Sequence, residues 1–329
     1  MSHRKDTDYL AVSARIRAME NRLLTRERME RMIEAKDTAE ARKILSECGY
    51  PDNAALPLEQ VLAQTREETL RDLTGAVPEP ALVEIFGLKY DYHNAKVLVK
   101  AQAVGNAPER LLQPGGRYSP KFLLTVWQQE ELRGCSELFR RAVTQAREVL
   151  KESRDPQQAD LLLDRACYEE MAQLAKSLGS EFLQGYVRLS VDIANLRTAV
   201  RVARMGKESD FLRQVLLPGG NVSVQAILAV RPEGLSDVFQ SGALAQAAQL
   251  GAKLTVVGSG ALTAFEKACD DALTEYLSRA RRIPFGEQVV IGYVYAKELE
   301  LTAIRTIFAG RAAGLEPQII RERLRETYA

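Results

Sequence analysis

Apolar residues three and four positions apart recur along most of the chain, in long segments rich in Leu, Ala, Arg and Glu. This spacing puts the apolar side chains on one face of an α-helix, whereas the alternation typical of strands is scarce. The sequence therefore predicts an all-α protein. The clearest helical segments are Tyr9–Leu24, Arg28–Ser46, Leu58–Leu73, Pro120–Lys151, Ala159–Leu178 and Ala261–Arg282.

One helical segment is written three times, with about 100 residues between copies. The segment DYHNAKVLVKA at 91–101 aligns without gaps with VDIANLRTAVRVAR at 191–204 and LELTAIRTIFAGRAAG at 299–314. An acid recurs at one position, and a base recurs five residues later. The acids are Asp91, Asp192 and Glu300, and the bases are Lys96, Arg197 and Arg305. Self-similarity at a fixed spacing indicates a repeated architecture.

Each copy is followed by the same pattern of helix-ending and helix-starting residues. Gly105, Gly206 and Gly314 share one offset, and a glycine just past a helix adopts the left-handed conformation without a steric penalty. Pro or Ser three residues later is a good opening for a short helix. The first two copies then share P-G-G-x-x-S, at 114–119 and 218–223. We interpret both Gly-Gly turns as helix connectors.

These repeats predict three similar helical domains, with boundaries near Gly116 and Gly220. The domains would comprise residues 1–116, 117–220 and 221–329. Triplication on this scale predicts a ring-like or funnel-like body with pseudo-threefold symmetry, although three domains in a row would satisfy the same sequence.

The repeated acids and bases are candidate functional groups. Five residues along a helix correspond to about 140° around its axis, so an acid and its base do not share a face. Each acid either ties its helix to the rest of its own domain or faces a shared cavity and binds a partner. Arg201 extends a basic stripe, which is typical of a solvated face but also suits a binding surface. The candidate partner-binding residues are Asp91, Lys96, Asp192, Arg197, Arg201, Glu300 and Arg305.

Composition and motifs argue against several other functions. Lys plus Arg total 45 and Asp plus Glu total 44, so no overall charge attracts nucleic acid. The only Gly-Lys pair, Gly206–Lys207, is followed by Glu208 and does not fit a phosphate-binding Walker A loop. His93 and Trp127 stand outside any catalytic pattern. We expect no catalytic site, no nucleotide and no cofactor.

The cysteines predict no metal site. None of the four belongs to a C-x-x-C pair, and only His3 and His93 could join them as ligands. Scattered cysteines in a chain of this length are expected to be small buried hydrophobes in a reducing compartment. They are Cys48, Cys135, Cys167 and Cys269.

No membrane-targeting segment is predicted. The first residues lack the apolar stretch of a signal peptide, and runs such as Val289–Ala296 fall short of the roughly 18 residues that span a bilayer. If the protein works at a membrane, we expect another protein to hold it there.

Several segments together resemble the C subunit of archaeal and bacterial V-type (A-type) ATPases, whose eukaryotic counterpart is the d subunit. They are YDYHNAK at 90–96, LLLDRACYEEM at 161–171, and the ending PFGEQVVIGYVYAKELELTAIRTIFAGRAAGLEPQIIRERL at 284–324. The resemblance covers essentially the whole chain, including the triplication. The ending is its most specific part, with P-F-G, A-K-E-x-E, I-R and a final G-R/K-x-x-G-L.

The resemblance implies a non-catalytic rotor subunit shaped like a funnel. Such a subunit lies on the cytoplasmic side of the membrane, receives the foot of the central stalk, contacts the membrane rotor (proteolipid) ring, and transmits torque without binding nucleotide or ion. It would meet the membrane only through the ring, be present once per complex, and be a monomer in isolation. The alternatives are a generic α-helical scaffold or adaptor, and an enzyme or RNA-binding protein that uses the Gly-Gly turns and the arginine stripe.

Overall fold

The computed structural model describes residues 4–51, 56–129 and 132–328, so His3 lies outside the described residues. Within these ranges the chain forms helices, turns and loops but no strand, and the predicted all-α fold is confirmed. The chain divides into two compact units. Unit 1 comprises Met1–Thr65 and Phe182–Ala329, and unit 2 comprises Arg66–Glu181. The boundaries near Gly116 and Gly220 and the threefold arrangement stay predictions. None of the described helices has the length and hydropathy needed to cross a membrane.

The α-helices are numbered in chain order. They are α1 (Leu10–Glu20), α2 (Arg26–Glu34), α3 (Thr38–Glu47), α4 (Leu58–Ala76), α5 (Ala81–Glu84), α6 (Leu88–Val104), α7 (Pro120–Gln128), α8 (Glu137–Ser153), α9 (Pro156–Leu178), α10 (Glu181–Arg204), α11 (Ser209–Val215), α12 (Val224–Ala229), α13 (Leu235–Val238), α14 (Ala245–Val257), α15 (Thr263–Ser278), α16 (Glu287–Ala312) and α17 (Pro317–Arg323). Short 3-10 helices lie at Asp6–Tyr9, Ile85–Gly87, Glu109–Leu111, Pro232–Gly234 and Arg279–Arg282.

Two predicted helices are each divided in two, because polar side chains start new helices inside them. In the segment 28–46, the Asp37 carboxylate accepts a hydrogen bond from the Glu40 amide at 2.8 Å and starts α3. In the segment 120–151, Gly134 has a φ of +85° and the Ser136 hydroxyl accepts from the Phe139 amide at the start of α8. Residues 130 and 131 of that prediction lie outside the described part of the chain.

The three copies of the repeated segment lie in α6, α10 and α16, which we call the repeat helices. Gly105, Gly206 and Gly314 follow their ends with φ of +70°, +63° and +65°. The predicted glycine breaks are therefore confirmed, because these angles fall in the left-handed region. A short helix follows each glycine, at Glu109–Leu111, α11 and α17.

Unit 2 has its core where α6 packs on α8 and α9. Leu98, Val143 and Leu163 are almost fully buried there. The rings of Tyr92 and Phe139 meet edge to face, with centroids 5.4 Å apart.

Among the described residues of unit 1, two buried clusters are each built on one repeat helix. One core joins α10 to α12, α14 and α15, with Leu196, Ile227 and Phe265 buried inside it. The other joins the second half of α16 to α2, α3 and the start of α4, with Met32 and Ile304 at its centre. The apolar face of α16 is therefore covered by residues from the first 65 positions of the sequence.

Candidate functional site

The side chains of the three repeated acids, which we call the repeat carboxylates, are buried. The side chain of Asp91 is fully buried and accepts hydrogen bonds from Arg117 Nε at 2.9 Å and from the Tyr118 amide at 3.2 Å. Asp192 is 3% exposed and accepts from the amides of Asn221 and Val222, both at 3.1 Å. Both carboxylates thus satisfy backbone donors of the Gly-Gly turn that follows their own copy.

These turns lead directly into a capped helix. Tyr118 precedes Ser119, whose hydroxyl caps α7, and Val222 precedes Ser223, whose hydroxyl caps α12. The buried carboxylate therefore fixes the position at which the next helix begins. The shared P-G-G-x-x-S motif connects helices, as predicted.

The two glycines of each turn are required for different physical reasons. Gly115 and Gly219 have φ of +102° and +96°, which disfavours other residues. Gly116 and Gly220 have ordinary φ values, but a Cβ on either would collide with a repeat carboxylate oxygen. The second glycine is therefore required by the close approach of the carboxylate to the backbone.

The third repeat carboxylate has the same role at a distant part of the chain. Glu300 is 4% exposed and accepts hydrogen bonds from the Leu24 amide, Tyr50 Oη and Lys297 Nζ, each at 2.5 Å. Leu24 precedes Thr25, whose hydroxyl caps α2. In this copy the segment before α2 supplies the backbone donor that a Gly-Gly turn supplies in the other two.

An asparagine supports the same connection in the first two copies. The Asn94 side chain exchanges two hydrogen bonds of 2.8 Å with the backbone amide and carbonyl of Gln113. Asn195 does the same with Leu217, again at 2.8 Å. The third copy has Ala303 here, which cannot form such a pair. Both asparagines lie three residues after the repeated acid of their copy, but the sequence does not indicate their partners.

The repeated bases lie on the outer part of each repeat helix and pair with carboxylates of a neighbouring helix. Lys96 Nζ lies 2.5 Å from Asp164, and Arg197 lies 2.7 Å from Asp270. The four predicted bases have partly exposed partners within their own unit. The ion pairs are Lys96–Asp164, Arg197–Glu266, Arg197–Asp270, Arg201–Glu266 and Arg305–Glu59. That these acids and bases bind a partner stays a prediction.

A buried charge network surrounds the first repeat carboxylate. Arg117 bridges Asp91 and Glu170, with N–O distances of 2.9 Å to each. Glu170 also accepts hydrogen bonds from Tyr92 Oη at 2.8 Å and Ser136 Oγ at 2.7 Å. The repeat pattern does not indicate Arg117 or Glu170, because neither recurs in the other copies.

Burial changes the acidity of two repeat carboxylates. It raises the pKa of Asp91 to about 6, although Arg117 and the Tyr118 amide act in the opposite direction. Burial also raises the pKa of Asp192, against the hydrogen bonds from Val222 and Asn221. The favourable partners thus offset part of the cost of placing a charge inside the unit.

The remaining candidate residues have structural surroundings. The four cysteines are free and buried, as predicted. His93 Nε2 lies 3.3 Å from the Leu111 carbonyl oxygen, and the guanidinium of Arg147 stacks on Trp127 at 3.7 Å from the ring centroid. No group of three or more His, Cys, Asp or Glu side chains within the described ranges could hold a metal ion.

Comparison with known proteins gives full-length similarity to one family. Residues 12–323 match the family model described as ATP synthase (C/AC39) subunit. The chain is 23% identical over 325 residues to the C subunit of the V-type sodium ATPase of Enterococcus hirae, covering 98% of this chain and 99% of that one. It is 25% identical over 328 residues to the C subunit of the V-type ATP synthase of Thermus thermophilus, covering 95% and 98%. It is 25% identical over 339 residues to the C subunit of the A-type ATP synthase of Haloferax volcanii, covering 95% and 96%.

Proposed function

This chain belongs to the ATP synthase (C/AC39) subunit family, and from that premise we propose that it is the socket joining the central stalk to the membrane proteolipid ring. Family membership makes the chain a structural, non-catalytic subunit of a rotary ATPase. The proposed role adds the transmission of torque between stalk and ring. It includes one copy per complex, a peripheral position on the cytoplasmic side, and contact with the membrane only through the ring.

The observation that carries this proposal is the repeated junction between a buried carboxylate and the start of a helix. A torque coupler must remain stiff between two partners, and loose helix connections would absorb the strain. Here each repeat helix holds the beginning of another helix through buried hydrogen bonds to Asp91, Asp192 or Glu300. Close-packed helices joined in this way deform little and therefore transmit strain.

Exposed apolar side chains at the ends of the repeats suit the ring contact. Val104 is 68% exposed and Met205 is 62% exposed, and both occupy the same repeat position just before the helix-ending glycine. Ile319, in the short helix after the third copy, is 39% exposed. The core of a protein interface is apolar, so these ends are the proposed ring-facing surfaces. The proposed stalk contact lies on the repeat helices, where the partly exposed bases Lys96, Arg197, Arg201 and Arg305 would set the register.

The test is co-purification of this chain with a tagged central-stalk subunit, in the presence and absence of the ring. We expect a ternary assembly that does not form without this chain. Met205→Asp should keep the stalk bound but reduce retained ring at least tenfold. Leu10→Asp is the matched control, because Leu10 is 50% exposed but lies at the start of α1. If stalk and chain elute separately at micromolar concentrations, the proposal fails and a generic helical adaptor becomes the better interpretation.

A further inference from the structure

Unit 2 contains a cavity of about 1140 Å³, and its lining includes Val104 of the proposed ring-facing surface. It is bounded by the second half of α6, by the segment 106–113, and by the last turn of α8 together with Pro156. Pockets of this size accommodate small organic ligands.

The inner wall of the cavity is apolar. Val99, Ala101, Leu112 and Leu150 line it and are each less than 10% exposed. Leu111, also in the lining, is 63% exposed. An aliphatic group that enters the cavity would therefore bury apolar surface on both sides.

The exposed edge of the cavity is cationic. Arg110, Lys151 and Arg154 belong to its lining and are exposed, and none of them forms an ion pair with another described residue. A fourth base, Lys100, is already paired with Asp160 at 3.0 Å. Among the described residues that line the cavity, none carries a carboxylate. Three available cations beside an apolar wall are complementary to an anionic headgroup with an aliphatic tail.

Arg154 occupies a backbone position that favours glycine. It is the C-cap of α8, with a φ of +55°, in the left-handed region. The helices α9 and α14 end in the same conformation at Gly179 and Gly258. An arginine in this conformation is disfavoured by its own Cβ, so the local fold would prefer glycine. The contribution of the Arg154 side chain to the cationic edge of the cavity explains why an arginine stands at this position.

The corresponding region of the third copy also contains a cavity, but its lining residues differ from those of the unit 2 cavity. A cavity of about 800 Å³ lies along the equivalent face of α16 in unit 1. Where α6 contributes Val97 and Lys100, α16 contributes Thr306 and Ala309. The second cavity is also lined by four acidic residues, namely Glu266, Asp270, Glu300 and Glu326. The unit 2 cavity therefore differs from this one, because no carboxylate belongs to its described lining.

We propose that the unit 2 cavity binds an anionic amphiphile, a lipid-type molecule with a carboxylate or phosphate head and one aliphatic chain. The head pairs with Arg154, Lys151 and Arg110, and the chain lies against Leu112 and Leu150. A flexible chain can enter a cavity bounded on three sides, whereas a partner helix about 10 Å across needs an open groove. Binding by the isolated chain requires neither the stalk nor the ring.

The test is titration of the isolated full-length chain with dodecanoate below its micelle concentration, followed by calorimetry. Fluorescence of Trp127, the single tryptophan, gives a second readout, because Arg147 both stacks on its ring and lines the cavity. We expect one saturable site. Inorganic phosphate supplies the head alone and dodecyl maltoside supplies the chain with a neutral head, and both should bind at least tenfold more weakly.

Two variants separate binding from folding. Arg154→Gly should lower dodecanoate affinity about tenfold, the effect of losing one hydrogen bond to a charged group, while the unfolding midpoint stays the same or rises. Arg213→Ala is the control for charge, because it removes one exposed cation from unit 1 and should leave affinity unchanged. Leu111→Asp should also weaken binding about tenfold.

Three results would overturn the proposal. The first is the absence of saturable dodecanoate binding at millimolar concentration. The second is equal affinity of the wild type and Arg154→Gly. The third is binding of inorganic phosphate, or of an acidic peptide without an aliphatic chain, as tight as that of dodecanoate. None of these results bears on assembly with the stalk.

Discussion

Replacing Glu300 with alanine should be among the most destabilising single changes in unit 1. The carboxylate is buried and accepts hydrogen bonds from a backbone amide, a phenol and an ammonium group, those of Leu24, Tyr50 and Lys297. Alanine removes the acceptor for all three. The Lys297 side chain is only 13% exposed, so water cannot fully replace the lost partner.

The magnitude follows from these contacts. Breaking a buried ion pair by removing one partner costs about 3–5 kcal/mol. The Leu24 amide and the Tyr50 hydroxyl would each add about 1–3 kcal/mol to the loss of stability if no water molecule replaced the missing acceptor. Lys297 Nζ lies 4.8 Å from the centroid of the Tyr50 ring, which gives the ammonium group a second favourable contact. Water can also enter the space left by the carboxylate. The loss of stability should therefore stay within the range for one ion pair. We expect a loss of about 4 kcal/mol.

The assay is hydrogen exchange of the peptide that spans Leu24 and the first turn of α2, together with urea unfolding followed by circular dichroism. A loss of about 4 kcal/mol should speed exchange of these amides by two to three orders of magnitude. Adding Lys297→Met to Glu300→Ala should recover part of the loss, because the unpaired ammonium is removed.

Glu59→Ala is the matched control for this prediction. Glu59 also bonds to α16, through Arg305 at 2.8 Å, but its side chain is 67% exposed, so its loss should cost less than about 1 kcal/mol. If Glu300→Ala and Glu59→Ala had similar effects, the buried carboxylate would not be holding the start of α2, and the reasoning would be refuted.

Three further predictions concern the other two copies. Gly220→Ala should destabilise unit 1 by about 1–3 kcal/mol in urea unfolding, because its Cβ would collide with the Asp192 carboxylate. Arg117→Met should cost about 3–5 kcal/mol, since it leaves two buried carboxylates unpaired. Burial raises the pKa of Asp91 from 3.8 to about 6, so the folded state binds a proton at this carboxylate more tightly than the unfolded state does. The protonated carboxyl group therefore stabilises the folded state at low pH, and this stabilisation falls as pH rises from about 4 to 6. Asp91→Asn should remove this pH dependence from the unfolding transition reported by Trp127 fluorescence.

Each of these predictions has a control and a contradicting result. Gly75→Ala lies inside α4 at an ordinary φ and meets no atom within 4 Å, so it should be neutral or stabilise the protein by about 0.5–1 kcal/mol. Arg141→Met removes an exposed arginine from α8 and should change stability by less than about 1 kcal/mol. Asp160→Asn changes a partly exposed acid and should keep the pH dependence. Equal effects of a variant and its control would contradict the prediction.

The helices and their ends could be predicted well from the sequence, because both are local properties. Apolar spacing identified the helical segments, and the left-handed conformations at Gly105, Gly206 and Gly314 follow from the chemistry of glycine. Interruptions were harder to predict. The apolar pattern continues across Asp37 and Ser136, and only their side-chain hydrogen bonds show that a new helix begins.

The partners of the repeated residues could not be predicted from the sequence. The alignment identified Asp91, Asp192 and Glu300, but a repeated charge pattern does not tell whether the charge is buried. The third junction was the hardest to foresee, because Leu24 and Tyr50 carry no Gly-Gly motif and lie at the opposite end of the chain from Glu300. Contacts between such distant residues depend on tertiary packing, which local patterns do not encode.

The hydrogen bond between Leu24 and Glu300 joins residues 276 positions apart, and this has a consequence for biosynthesis. The helices α2 and α3 leave the ribosome early, yet the core that covers their apolar faces needs α16, which is synthesised near the end of the chain. Contacts of such long range are slow to form because their closure entropy must be overcome first. During translation, the apolar side chains of Met32 and Ile44 therefore stay uncovered until α16 has been made. Such transiently exposed apolar surface is prone to aggregation, and we expect chaperones to bind it.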